Sequence, residues 1–248
     1  MAGQEKKDIS KIVQIVRENN DIASVYLEKP NGSFDARRAG QYMTVKILKE
    51  EGWSEPHPFT ISCAPEDKLL RMTVKREGAF TTALHMMPSG TELKCMGPLG
   101  VFCRDVDEKP SIVLIAGGVG ITPFLSVIGH YKNIGVGNKV KLFWVNKSAG
   151  DIIFADDMKK MTRSLNLKII HNLSREENSG RFFDPGYSNV LYEDGRLTAD
   201  ILKKYEISKT DAFYLCGPPP MMESALRDLE AVGIQPEAVQ KEKFSWKV

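Results

Sequence analysis

Residues 111–123 read SIVLIAGGVGITP. The first six form an uninterrupted apolar run, the pattern of a strand buried on both faces of a parallel sheet. Glycines then let the backbone turn tightly, and Thr122 as N-cap with Pro123 at the first helical position specifies a helix start. A strand that passes through glycines into a helix N-terminus offers N–H groups and a favourable dipole to a pyrophosphate. Toward the C-terminus, residues 140–145, 167–171 and 212–215 read as further strands, and residues 155–163, 198–205 and 219–232 as helices. Strand and helix alternate, as in an open α/β sheet.

Toward the N-terminus the period changes. Met43, Val45 and Ile47 alternate with Thr44 and Lys46, and Met72 and Val74 alternate with Arg71, Thr73 and Lys75, the period-2 signature of half-buried strands. Residues 9–17, 22–28, 58–63 and 91–96 read the same way, separated by turn signals such as Pro30-Asn31-Gly32 and Pro88-Ser89-Gly90. About six short strands with one brief helix near residues 81–87 predict a small antiparallel barrel or sandwich. The charged run 105–110, closed by Pro110, marks the junction. The expected organisation is a six-stranded barrel over residues 1–108 followed by a parallel-sheet α/β domain over residues 109–248.

Composition narrows the function classes. With 42% hydrophobic and 27% charged residues among 248, and no apolar run near the roughly 18 residues of a spanning helix, no membrane span is expected. Lys and Arg number 34 against 32 Asp and Glu, a net charge of +2, which argues against a basic nucleic-acid surface. The four cysteines, Cys63, Cys95, Cys103 and Cys216, include no C-x-x-C pair, so no cysteine-held iron–sulfur cluster or other metal site is expected. A disulfide scaffold is disfavoured, and the charged N-terminus lacks a signal-peptide pattern, which favours a reducing cytoplasmic setting.

Three segments carry chemistry. The glycine turn places Gly118, Gly120 and Thr122 where a pyrophosphate would bind. It departs from the usual dinucleotide fingerprint: Pro123 replaces the third glycine, and the second strand of the α/β half ends in Asn146-Lys147-Ser148 instead of an acidic ribose ligand, so an ordinary Rossmann dehydrogenase is disfavoured. In the run 214–221 (YLCGPPPM), a buried strand ends in Cys216 and Gly217 and enters a helix. The bland reading of Cys216 is a small buried hydrophobe; the functional one puts it on the same sheet edge as Gly118. In the barrel half, His57, Pro58, Phe59 and Thr60 set an imidazole, an aromatic face and a hydroxyl on one extended segment, while Gly78, Thr81 and Thr82 stand at a short helix start suited to a phosphate.

In order along the chain, HPFT (57–60), GAFTT (78–82), GPLG (97–100), GVGITP (118–123), CGPPPMM (216–222) and EKF (242–244) resemble the ferredoxin–NADP reductase superfamily. Residues 74–85 and 213–218 look like the reductase half of flavohaemoglobins, and HPFTIS like the flavin site of ferric reductases and NADPH oxidases. The resemblance implies a flavin-dependent NAD(P)H oxidoreductase that binds FAD, with FMN as the lesser alternative. Phe59 would pack on the flavin, and Thr60 would place its hydroxyl near the reactive nitrogen. Pro58, Thr73, Val74 and Lys75 would line the ring; Gly78, Thr81 and Thr82 would hold phosphates. His57 stands where the family usually has arginine, which removes a fixed charge. On the nucleotide side, Gly118, Gly120 and Thr122 would approach the pyrophosphate, and Cys216 with Gly217 would lie near the nicotinamide. Ser174 and Arg175 would meet the adenosine end, leaving NADH and NADPH both open. Phe244, with Trp246 as second candidate, would cover the flavin, so that Thr60, Cys216 and Phe244 form the expected catalytic set. The segment 173–197 reads as a long loop, either a flap over the adenosine end or simply solvated. Electrons would leave to an external acceptor such as a small redox protein, ferric chelate, free flavin or quinone. The alternatives are an electron-transfer subunit of a larger complex and a non-catalytic nucleotide-sensing module.

Overall fold

The structure is a computed structural model that describes residues 8–243; Phe244 and Trp246 lie outside the described residues. It divides into two compact units. The first runs to Arg104 and takes in Thr122–Asn133; the second comprises Asp105–Ile121 and the chain from Ile134 onward.

Seven strands build the first unit: β1 (Ile9–Arg17), β2 (Ile22–Leu27), β3 (Tyr42–Lys49), the two-residue β4 (Gly52–Trp53), β5 (His57–Thr60), β6 (Leu70–Lys75) and β7 (Glu92–Leu99). All pairings are antiparallel, in the order β4-β3-β7-β1-β2-β6, with β5 on the same edge of β3 as β4. Just past β5, Ser62 N–H donates to the Arg71 carbonyl of β6 at 2.7 Å, so the six longer strands come round to meet at a β5–β6 seam. The alternation seen in the sequence sets the interior: Met43, Val45 and Ile47 of β3 and Met72 and Val74 of β6 point inward with Val25, Leu27 and Phe34. Each such side chain, fully buried, stabilises the fold by roughly 1.5–3 kcal/mol.

The barrel also encloses polar groups. The Thr73 hydroxyl lies 3.0 Å from that of Ser24 and 2.9 Å from that of Ser62, a chain of three hydroxyls across β2, β6 and the seam. Arg37, only 4% exposed, donates to the carbonyls of Phe34 (2.9 Å), Ala64 (2.6 Å) and Asp67 (3.0 Å), tying the turn before β3 to the turn after β5. The short helix α1 (Ala79–His85) begins two residues before the expected stretch, because Gly78 takes φ +93 and starts the turn. The helix α2 (Thr122–Ile134) belongs to this unit through its packing on the turn after β5. Ser126 donates to the Cys63 carbonyl (2.7 Å), Gly129 allows close approach to Ala64, and His130 meets Glu66 at 2.6 Å.

The second unit is a six-stranded, all-parallel sheet: β8 (Ser111–Gly117), β9 (Lys139–Asn146), β10 (Leu167–Leu173), β11 (Val190–Asp194), β12 (Ala212–Gly217) and β13 (Val239–Lys243), in the order β11-β10-β9-β8-β12-β13. Helices α3 (Ala155–Met161), α4 (Ala199–Lys204) and α5 (Pro219–Ala231) alternate with them. From β8 the chain adds strands on one side through β9 and later on the other through β12, so the topological switch point lies between β8 and β12, where such sheets bind ligands.

Three expectations are corrected here. Thr122 is not a cap but the first residue of α2, since a 3-10 turn over Gly118–Ile121 runs into the helix without a break. The segment 173–197 is not a plain loop: it contains β11, and the Asp194 carboxylate accepts from the N–H groups of Asn178 (3.0 Å) and Ser179 (2.7 Å) and from the Ser179 hydroxyl, folding the segment back on itself. Strand β13, unread in the sequence, is secured by Gln240, which with Tyr214 donates to Asp105 at 2.8–3.0 Å.

Replacing Arg37 by Met, which keeps the stem and removes three charge-assisted hydrogen bonds, is expected to cost about 2–4 kcal/mol. Urea unfolding of wild type and variant measures this.

Candidate active site

In the first unit the candidate flavin segment is β5. His57 is half-buried and stacks on Phe80 of α1 with ring centroids 3.7 Å apart, and Phe80 stands 5.9 Å from Phe59. Burial, then the nearby Lys49, pushes the His57 pKa below its ordinary value, so at neutral pH this position supplies an aromatic surface without a fixed charge. Phe59 is buried and packs with the barrel core, while Pro58 is exposed. Thr60 is 5% exposed, and its hydroxyl has no hydrogen-bond partner. A buried hydroxyl left unpaired costs about 1–3 kcal/mol. Its place at the end of β5 and the start of the seam is where a ring with a polar edge would satisfy it, so the residues present fit a flavin.

The other barrel positions are more committed to the fold than the sequence indicated. Thr73 spends its hydroxyl on Ser24 and Ser62, and Val74 lies in the core, leaving the exposed Lys75 and the backbone of β6 to meet a ligand. At the start of α1 the Thr82 hydroxyl donates to the Gly78 carbonyl (2.8 Å), and the Thr81 hydroxyl accepts from Glu77 N–H (2.7 Å). What this turn offers an anion is therefore its N–H groups, which a helix start leaves without internal acceptors.

In the second unit, the glycine turn after β8 and the Cys-Gly-Pro turn after β12 pack backbone against backbone. A Cβ on Gly120 would sit 2.4 Å from the Cys216 carbonyl oxygen and 2.8 Å from the Gly217 Cα, so only glycine fits. Gly118 takes φ +51, open to glycine at no steric cost. Trp144 of β9, fully buried, holds that turn by donating its indole N–H to the Gly118 carbonyl at 3.1 Å. Thr122, in the first unit, is buried at the start of α2. The Ser174 hydroxyl is engaged with the Asn146 carbonyl (3.1 Å), whereas the Arg175 side chain is exposed and makes no ion pair among the described residues.

Register adds one residue that sequence reading passed over. Cys216 of β12 lies opposite Glu242 of β13, and residues paired across a parallel ladder project to the same face. Cys216 is fully buried; burial, then the Glu242 charge, holds its pKa well above the usual thiol value, so it remains a neutral thiol. Glu242 is raised by burial to about 7, and its Oε2 is buried without a partner. The signal was present in the EKF motif, but β13 was not read as a strand, so nothing brought Glu242 to Cys216.

The Glu242 shift has a sign. In the unfolded chain the carboxyl ionises near its ordinary value of about 4.3. Between that value and about 7 the folded protein holds a proton that the unfolded chain has lost, so stability falls as pH rises through this window. We expect the wild-type Tm to drop between pH 5 and pH 8 relative to Glu242→Gln, with the variant the more stable of the two above pH 7. Parallel Tm curves would contradict the assignment.

Residues 7–118 match the FAD-binding domain family, and residues 114–227 match the oxidoreductase NAD-binding domain family. Among curated relatives, the reductase component of a propane 2-monooxygenase from Mycolicibacterium goodii is 29% identical over 95% of this chain and 67% of its own length. A flavohemoprotein from Oceanobacillus iheyensis is 27% identical over 94% of this chain, and this chain spans 58% of that protein. The flavohem-like FAD/NAD-binding domain of a nitric oxide dioxygenase from Vibrio cholerae shares the fold with TM-score 0.79 at 22% identity, covering 96% of this chain and 99% of that one. A ferredoxin–NADP+ reductase from Neisseria gonorrhoeae with bound FAD and NADP aligns with TM-score 0.75 at 15% identity, covering 95% and 97%. The chain therefore joins an FAD-binding domain to an oxidoreductase NAD-binding domain, matched in order over residues 7–227, in the fold that the flavohem-like and ferredoxin–NADP+ reductase structures share.

Proposed function

We propose that the protein is an NAD(P)H-dependent flavoprotein reductase that takes a hydride from a nicotinamide and hands the electrons to a separate acceptor. The observation that carries this reading is the buried, unpartnered Thr60 hydroxyl at the end of the candidate flavin strand, in a chain that also holds the glycine-tight β8–β12 switch point. Bound FAD supplies the redox chemistry, accepting two electrons as hydride and releasing them onward. The chain's own residues do positional work. Thr60 offers its hydroxyl to the polar edge of the ring, Phe59 and the exposed Pro58 flank it, and the neutral His57 on Phe80 adds an apolar wall. Backbone of Thr73 and Val74, with Lys75, lines the ring, and the first turn of α1 from Gly78 through Thr81 takes the phosphates through its N–H groups, Thr82 bracing that turn through the Gly78 carbonyl.

On the nucleotide side, Gly118, Gly120 and Thr122 receive the pyrophosphate, and Ser174 and Arg175 face the adenosine end. Cys216 and Gly217 bear on the nicotinamide; a neutral thiol there gives a small, weakly polar surface that excludes water without competing as a nucleophile. Glu242 beside it exchanges a proton near neutral pH. Phe244 and Trp246, the expected cover, lie outside the described residues. Each unit's groups act by orienting the cofactor they hold, the contribution that positioning makes to a transfer reaction.

A second reading, an electron-transfer subunit, is favoured by two similar proteins: the propane 2-monooxygenase relative is named a reductase component, and a relative from Pyrococcus furiosus, 28% identical, is named a sulfhydrogenase gamma subunit. Among the described residues no helix is long and apolar enough to cross a membrane.

The purified protein should be yellow and should bleach anaerobically on addition of NADH or NADPH. A colourless protein that neither FAD nor FMN reconstitutes would overturn the reading. Cys216→Ala is expected to slow stopped-flow flavin reduction about tenfold with flavin content unchanged; equal rates would remove Cys216 from the site. A stoichiometric partner recovered with the tagged protein would favour the subunit reading, and a monomer active on soluble acceptors the stand-alone enzyme.

A further inference from the structure

Asn146 is the last residue of β9 and is 5% exposed, yet neither its Nδ2 nor its Oδ1 has a hydrogen-bond partner. Its backbone carbonyl accepts from the Ser174 N–H (2.9 Å) and hydroxyl (3.1 Å). A carboxamide buried with its donor and its acceptor both unmet is rare in native proteins and signals a missing partner.

Its position says which partner. Trp144 lies two residues earlier, so it shares the Asn146 face of the sheet, and its indole N–H fixes the Gly118 carbonyl. One strand therefore holds the glycine turn and, one step further toward the carboxyl edge, presents an unpaired donor and acceptor. β9 sits between β8, which ends in the glycine turn, and β10, which leads into Ser174 and Arg175. A dinucleotide laid along this edge, with its pyrophosphate on the glycine turn and its adenine beyond β10, crosses the end of β9 with the ribose between them. The vicinal 2′ and 3′ hydroxyls of a ribose each donate and accept, and a planar carboxamide offers one of each.

We propose that Asn146 is a ribose-diol reader for the adenosine half of the dinucleotide, with Trp144 as the residue that positions the neighbouring turn. This inference rests on the nucleotide-binding reading above and adds to it a specific recognition group, at a position where an acid is absent.

The test uses the flavin-loaded protein, with isothermal titration of ADP and of 2′,3′-dideoxy-ADP as probes. Wild type is expected to bind ADP about tenfold more tightly than the dideoxy compound. Asn146→Ala should bind both at the weaker level, with a Tm no lower than wild type and its flavin still reduced by dithionite, since the alanine removes an unpaired buried group without adding a charge. Equal binding of the two probes by wild type, or an ADP preference that survives in Asn146→Ala, would overturn the proposal; the first needs no variant to fold. If NAD(P)H bleaches the flavin while wild type ignores the diol, the proposal alone fails. If neither ADP binding nor bleaching occurs, the nucleotide-binding reading fails with it.

Discussion

A Cβ at position 120 would lie 2.4 Å from the Cys216 carbonyl, and the nucleotide half of the molecule is organised around that approach. Two strand-to-helix turns can touch through backbone this closely only with glycine at position 120, and at Gly217 a Cβ would likewise sit 3.0 Å from the Gly117 nitrogen. Their contact brings β8 against β12, which sets the switch point of the sheet and puts Cys216 at its carboxyl edge. Register does the rest. With Cys216 opposite Glu242 on one side and Ala116 opposite Trp144 on the other, Trp144, Ala116, Cys216 and Glu242 fall in one row on one face. The row continues through His171, tilted 5.5 Å from Trp144, stacked 5.1 Å from Tyr192 and held neutral, its pKa pulled down to about 3 by burial and then by Lys159. A bulky residue at 120 would separate the turns and shift every member of the row.

The barrel half solves a different problem, the enclosure of polar side chains. Ser24, Thr73 and Ser62 satisfy one another, and Arg37 satisfies three carbonyls, so these groups brace the seam at which β5 and β6 meet. Thr60, two residues before Ser62, is the hydroxyl left out of that accounting. Its neighbours at 73, 81 and 82 were all candidates for ligand contact by residue type, yet their hydroxyls are spent inside the protein. The unpaired group at 60 is thus the more informative one, because the protein bears its desolvation without an internal return.

Periodicity made much of the fold legible. The alternation in β3 and β6 and the apolar run of β8 set the two kinds of sheet, while the first compact unit takes in residues 122–133 from beyond the change of period near Pro110. What escaped was what periodicity does not encode. β11 and β13 are five residues each, with Glu193, Asp194, Lys241 and Glu242 among them, and strand formation there comes from pairing with β10 and β12. Missing β13 hid Glu242, whose environment depends on a ladder partner in another strand. The docking of α2 with the barrel unit was equally invisible, since it rests on Ser126, Gly129 and His130 meeting residues 63–66 far away in sequence. Motif order located the glycine turn, the Cys-Gly-Pro turn and the HPFT segment, but not which of their hydroxyls would remain available.

The central claim is that the Thr60 hydroxyl is kept for a ligand and not for the fold. Thermal unfolding of wild type and Thr60→Val, each measured as apoprotein and with saturating FAD, tests it most directly, because valine replaces the hydroxyl by a methyl of nearly the same size. The account predicts a valine apoprotein at least as stable as wild type and a smaller gain in Tm on adding FAD. A valine variant destabilised equally in both forms would contradict it, since the hydroxyl would then be serving the protein itself.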